Sequence, residues 1–138
     1  MKIFLDENIS YRLARGLNEL FAPENYDRDE PIEIVSVVDE FGRGITDEEW
    51  IPQVGKVGGC FLSLDQNIRR RQSQWQLCQE HKVGAIFLKM GGKRKGLPYW
   101  QQVEFVVKKW AKIMQQIDRL DRPFGLEVTD RKIRILPN

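Results

Sequence analysis

The 138-residue sequence is poor in cysteine and histidine and has no long apolar run. Cys60 and Cys78 are too few for the disulfide framework that staples small secreted domains. The single histidine, His81, rules out a poly-histidine metal cage and leaves one route to a serine–histidine–aspartate triad. No stretch approaches the ~18 apolar residues a membrane span needs. The opening Met1–Asp6 also lacks the apolar centre of a secretion signal, so the expected location is the cytoplasm. Apolar residues make up 41% of the chain, which excludes disordered and collagen-like classes. They suffice for one domain spanning residues 1–138, burying roughly two-thirds of its unfolded surface.

The net charge of +2 conceals a strong asymmetry. Residues 1–50 hold 13 acids against 5 bases, and residues 51–138 hold 7 acids against 17 bases. An acidic element set that attracts a cation, beside a basic surface that attracts a polyanion, suits a metal-dependent enzyme acting on nucleic acid.

Periodicity predicts alternating strands and helices. Ile3–Leu5 is a short apolar run of the kind buried on both faces of a sheet. Asn8 stands where it could cap a helix carrying Ile9, Leu13, Leu17, Leu20 and Phe21, with Pro23 closing it and a loop over Glu24–Pro31. Ile32–Val38 reads as a second strand and Phe41–Gly44 as a turn. Thr46-Asp47-Glu48-Glu49 is a capping-box pattern opening a helix to about Gly58. Cys60–Leu64 and Val83–Leu88 read as further strands around a helix carrying Ile68, Trp75 and Cys78. Gly91–Gly96 is a basic loop, and Pro98 starts the longest helix, with Trp100, Val103, Val107, Trp110, Met114 and Ile117 in one stripe. Leu97, Tyr99, Phe105 and Val106 lie off that stripe, which predicts a second apolar face that, with the first helix, contributes to a dimer or partner contact. Phe124–Val128 and Ile133–Ile135 read as a closing hairpin. The expected fold is α/β: a mainly parallel sheet sandwiched between helices, with a C-terminal β-hairpin.

In such sheets ligands bind beyond the carboxyl ends of the strands. The first strand ends in Asp6-Glu7-Asn8, the second runs into Asp39-Glu40, and the third ends at Asp65, followed by Asn67. Asp47 and Glu48 open a helix at the same rim. Carboxylates gathered there would repel unless a cation neutralises them, and an oxygen-only set points to Mg²⁺ or Mn²⁺ rather than zinc. Taken singly, each acid could instead cap a helix or complement its dipole.

Met-Lys-Ile-Phe-Leu-Asp-Glu-Asn-Ile, Thr46–Glu49 and Cys-Phe-Leu-Ser-Leu-Asp at 60–65, in that order, resemble the PIN-like nuclease domains of VapC-type toxin–antitoxin systems over about residues 1–120. The resemblance implies a Mg²⁺- or Mn²⁺-dependent endoribonuclease using a metal-activated water, with a small antitoxin as partner. It implies catalytic roles for Asp6, Asp47 and Asp65, and metal contacts from Asp6, Glu7, Asp47 or Glu48, Asp65 and Asn67. Asn67 stands where relatives often have an acid; its carbonyl can accept but brings no charge.

Arg69, Arg70 and Arg71 open the helix after Asp65, while Lys89, Lys93, Arg94 and Lys95 follow the fourth strand. All border the acidic rim and could hold RNA phosphates. His81 reads as a helix-end residue, and the two cysteines as inert packing. A receiver-like phosphoacceptor domain would use Asp6-Glu7, Asp65 and Lys89, but Gly84–Leu88 lacks the hydroxyl residue such a domain carries. A catalytically inactive RNA- or partner-binding module is the other alternative.

Overall fold

The computed structural model describes residues 1–90 and 98–137; the basic loop residues Lys93, Arg94 and Lys95 lie outside the described residues. The chain folds in the order β1 (Lys2–Leu5), α1 (Tyr11–Asn25), β2 (Glu33–Ser36), α2 (Val37–Phe41), α3 (Asp47–Lys56) and β3 (Cys60–Leu64). It continues with α4 (Ile68–His81), β4 (Gly84–Leu88), α5 (Tyr99–Arg119), β5 (Phe124–Val128) and β6 (Ile133–Ile135). The strands form one sheet in the order β2-β1-β3-β4-β5-β6. Every neighbouring pair is parallel except β5–β6, the antiparallel closing hairpin.

Both sheet faces are covered, which is why β3, β4 and β5 are buried throughout. On one face Ile3, Leu5, Leu62, Ile86 and Leu126 pack with Leu13, Leu17 and Phe21 of α1 and with Trp110 and Ile113 of α5. On the other, Phe4, Phe61 and Phe87 meet Trp50, Ile51 and Val54 of α3 and Cys78 of α4. No helix among the described residues is long and apolar enough to cross a membrane.

Several local expectations change. Ser10, not Asn8, caps α1 by accepting from the Arg12 N–H. Asn8 instead stitches two strand ends together: its amide donates to the Leu64 carbonyl and accepts from the Leu64 N–H. Pro23 does not close α1, which runs on to Asn25; so near the end, a missing N–H forfeits only one bond of the final turn. The β-branched run after Ser36 coils into α2 because the Ser36 hydroxyl accepts from the Val38 N–H.

In α5 the buried face comprises Phe105, Val106, Trp110, Ile113, Met114 and Ile117, whereas Trp100 is 74% exposed and Val107 half-exposed. Phe105 and Val106 therefore belong to the chain's own core, Tyr99 is exposed, and Leu97 lies outside the described residues.

Candidate functional site

Three strand ends deliver polar side chains to one rim. Sheet pairing continues one residue past β1, where the Asp6 N–H donates to the Leu62 carbonyl at 2.9 Å. The two-residue strand period then places Asp6 on the same face as Phe4, toward α3 and α4. The Asp65 N–H likewise extends β3 by donating to Leu88, and the Lys89 N–H extends β4 by donating to Val128. Glu127 of β5 stands in register with Phe87, and Phe87 with Ser63, so all three share this face.

Two helices begin at the same rim. In α3, Glu49 reaches back to accept from the Thr46 N–H and hydroxyl, and this fixes Asp47 in the first turn. The indole N–H of buried Trp50 donates to Asp47 Oδ1 at 3.0 Å. In α4, Asn67 is the cap, its Oδ1 accepting from the N–H groups of Arg69 and Arg70 at 2.9 and 3.2 Å. That bond commits the Asn67 carbonyl to the helix, and it orders the turn that carries the three arginines.

Asp6 is fully buried and fully engaged. Its Oδ2 accepts from the Ser63 hydroxyl at 2.6 Å and the Gln74 amide at 3.2 Å, and its Oδ1 from the Glu7 N–H at 2.7 Å. Arg70 Nη2 lies 2.8 Å from Asp6 Oδ2 and 3.0 Å from Asp47 Oδ1, while Arg70 Nε donates to Asp47 Oδ2 at 3.2 Å. One guanidinium thus bridges the two carboxylates. Burial works against its charge, but the hydrogen bond with Asp47 and the field of Asp6 outweigh it and hold the Arg70 pKa above its ordinary value.

A second bridge lies alongside. Arg71 Nη1 contacts Asp65 at 3.1 Å and Glu127 at 2.5 Å, with its guanidinium 5.9 Å from the Phe87 ring centre. Arg134 of β6 closes on Glu127 from the other side at 3.3 Å. Burial favours the neutral acid, yet the hydrogen bonds and charges of Arg134 and Arg71 hold the Glu127 carboxyl below its ordinary value.

The structure therefore brings Asp6 with Asp47, and Asp65 with Glu127, each pair around its own arginine. Glu7 turns away to accept from the Gly44 N–H, and Glu48 is exposed on α3. Asp39 pairs with Arg15, and Glu40 with Lys2. Arg69 and Lys89 are exposed at the rim with no carboxylate partner among the described residues. Cys60 and Cys78 are buried and unpaired; burial pushes the Cys60 thiol up to about 12, far from a reactive thiolate.

Against known protein families, residues 1–90 match the profile described as a PIN like domain. The chain belongs to the PIN-like domain family. No curated protein and no solved structure matches it. The matched span holds Asp6, Asp47, Asp65 and Arg70, and membership places the chain in a superfamily whose members are generally nucleases.

Nucleases of this superfamily typically use divalent metals, so the donor set of this PIN-like rim bears on function. Among the described residues no three carboxylate, histidine or cysteine side chains are grouped to hold a metal ion. Two carboxylates, Asp6 and Asp47, do converge on one cationic nitrogen. An oxygen-only pair of that kind fits Mg²⁺, which is held by one or two carboxylates and keeps waters or phosphate oxygens for the rest. The fit requires Arg70 to leave, because with it in place the oxygens are spoken for.

Glu127 escaped the sequence reading. Alternation of Phe124, Leu126 and Val128 marks it as a solvent-side position, yet helices cover both faces of the sheet. A lone acid near the carboxyl end of a strand was the available signal, as was Ser63 interrupting an otherwise apolar strand.

Proposed function

We propose that the chain is a Mg²⁺- or Mn²⁺-dependent endoribonuclease and the toxin of a toxin–antitoxin pair. One observation carries the nuclease reading: Asp6 and Asp47 converge on a single cation position at the carboxyl rim of a PIN-like sheet. Asp6 and Asp47 would hold the ion, while Asp65 is held by Arg71. When bound, the ion supplies charge neutralisation at the scissile phosphate and lowers the pKa of a water.

The chain's own residues do the rest. Ser63 and Gln74 lock the Asp6 carboxylate from within the core, so that carboxylate keeps its orientation when substrate arrives. Trp50 orients Asp47 from its own helix. Arg69 and Lys89 border the rim and would position phosphates on either side of the cleaved bond. The small antitoxin partner follows from the likeness to toxin domains, and exposed Trp100 and Val107 on α5 supply apolar surface for it.

The test incubates the pure protein with structured RNAs plus Mg²⁺ or Mn²⁺, with and without chelator. Cleavage abolished by chelator and by Asp6→Asn is expected; absence of cleavage under every condition defeats the nuclease reading. A second reading has its own support: each carboxylate pair already holds an arginine, as a catalytically inactive RNA-binding module would have it. RNA binding without cleavage selects it.

A further inference from the structure

The two bridging arginines are neighbours in sequence and differ in exposure. Arg71 is 16% exposed, clamped between Asp65 and Glu127 and lying over the Phe87 ring. Arg70 is 38% exposed, so its guanidinium reaches the buried Asp6 while the side chain keeps a face to solvent. Arg70, Arg71 and Gln74 all line a small cavity of about 50 Å³. Of the two, the more exposed Arg70 is the one that can turn out to solvent.

A fully buried carboxylate such as Asp6 needs a counter-charge, because desolvation without one is costly. Arg70 meets that need with a single nitrogen, Nη2, about 3 Å from an oxygen of each acid. Two cations cannot share that point, since their repulsion at contact would cancel the attraction each feels for the acids.

Resting on the metal-dependent reading above, we propose that Arg70 is the resident counter-ion of the Asp6/Asp47 pair, exchanged for a divalent cation when the metal site forms. The released guanidinium then stands at the rim, free to pair with a substrate phosphate. Metal and RNA therefore bind cooperatively: the phosphate gives Arg70 a new partner and lowers the cost of vacating the acids. By linkage each ligand tightens the other equally.

Isothermal titration of Mn²⁺ into wild type and Arg70→Gln tests the exchange without reference to cleavage. The variant, with no guanidinium to displace, should bind Mn²⁺ more tightly, by about 5- to 100-fold if the coupling is of ordinary allosteric size. A single-stranded RNA oligomer with a non-cleavable backbone should tighten Mn²⁺ binding to wild type and do so less for the variant. Equal or weaker Mn²⁺ affinity in Arg70→Gln overturns the proposal, as does the absence of Mn²⁺ binding in both proteins.

Should Arg70→Gln not fold, wild type alone decides. The arginine Nε–H resonance protected by its bond to Asp47 should lose that protection on adding Mg²⁺, and a resonance that does not move overturns the exchange. The two ideas fail separately. Chelator-sensitive cleavage with unchanged Mn²⁺ affinity in the variant removes the exchange and leaves the nuclease; tightened Mn²⁺ binding without cleavage does the reverse.

Discussion

Asp6 shows how a buried charge is made tolerable. Serine hydroxyl, glutamine amide, backbone N–H and guanidinium together satisfy its two oxygens. The crowded carboxylates expected from sequence do not face one another bare; arginines from α4 stand between them. Truncation of Asp6 should therefore destabilise the protein rather than relieve repulsion. Arg70 can turn to water, but Ser63 and Gln74 cannot, so Asp6→Ala should cost about 1–3 kcal/mol for donors left unpaired. Urea denaturation of the metal-free protein checks this, and unchanged or raised stability contradicts it.

Glu127 makes a pH statement at the same scale. Its folded carboxyl is held below the ordinary value of 4.5, so its contribution to stability is present above that value and lost as pH falls through the lowered one. Wild type should melt progressively lower on acidification below about pH 4.5, while Glu127→Gln, with nothing to protonate, should show a shallower decline. Parallel pH–melting profiles for the two proteins would refute the clamp.

At the scale of elements, the site depends on how α3 and α4 lie together. Both begin at the rim, one bringing Asp47 and the other Arg70, and their far ends approach closely at Gly55. A Cβ added there would lie 2.4 Å from the His81 carbonyl oxygen, which is backbone and cannot step aside. Glycine inside a helix ordinarily costs 0.5–1 kcal/mol against alanine, as an order of magnitude. Here the balance reverses: Gly55→Ala should destabilise by about 1–3 kcal/mol, because overpacking exceeds the gain in helix propensity. Thermal denaturation reads the sign; a stabilised variant would mean the helices part without cost.

Across the whole molecule, the basic half of the chain is smaller in effect than its count of lysines and arginines indicates. Arg70, Arg71 and Arg134 are occupied by acids, leaving Arg69 and Lys89 at the described rim. Arg69→Gln and Lys89→Gln should each flatten the salt dependence of RNA binding by roughly 0.7 in the log–log slope, as one phosphate contact on a single strand is lost. Mn²⁺ affinity should stay as it was. An unaltered slope in both variants would place the RNA path elsewhere.

The sequence by itself determined the alternation of strands and helices, the parallel sheet and the closing hairpin. These follow from local periodicity and from apolar runs that only a sheet covered on both faces can bury. It also determined that Asp6 and Asp65 end strands, because strand ends and rims are local facts. Only the tertiary structure decided which acid meets which base. Arg70 is 64 positions from Asp6 and 23 from Asp47, and Arg71 is 56 from Glu127. Pairings across such separations depend on helix docking angles and sheet register, to which no single stretch of sequence is sensitive. Asn8 takes the backbone of Leu64 rather than the cap of α1 for a related reason: a side chain able to cap a helix does so only where the surrounding fold offers it no stronger partner.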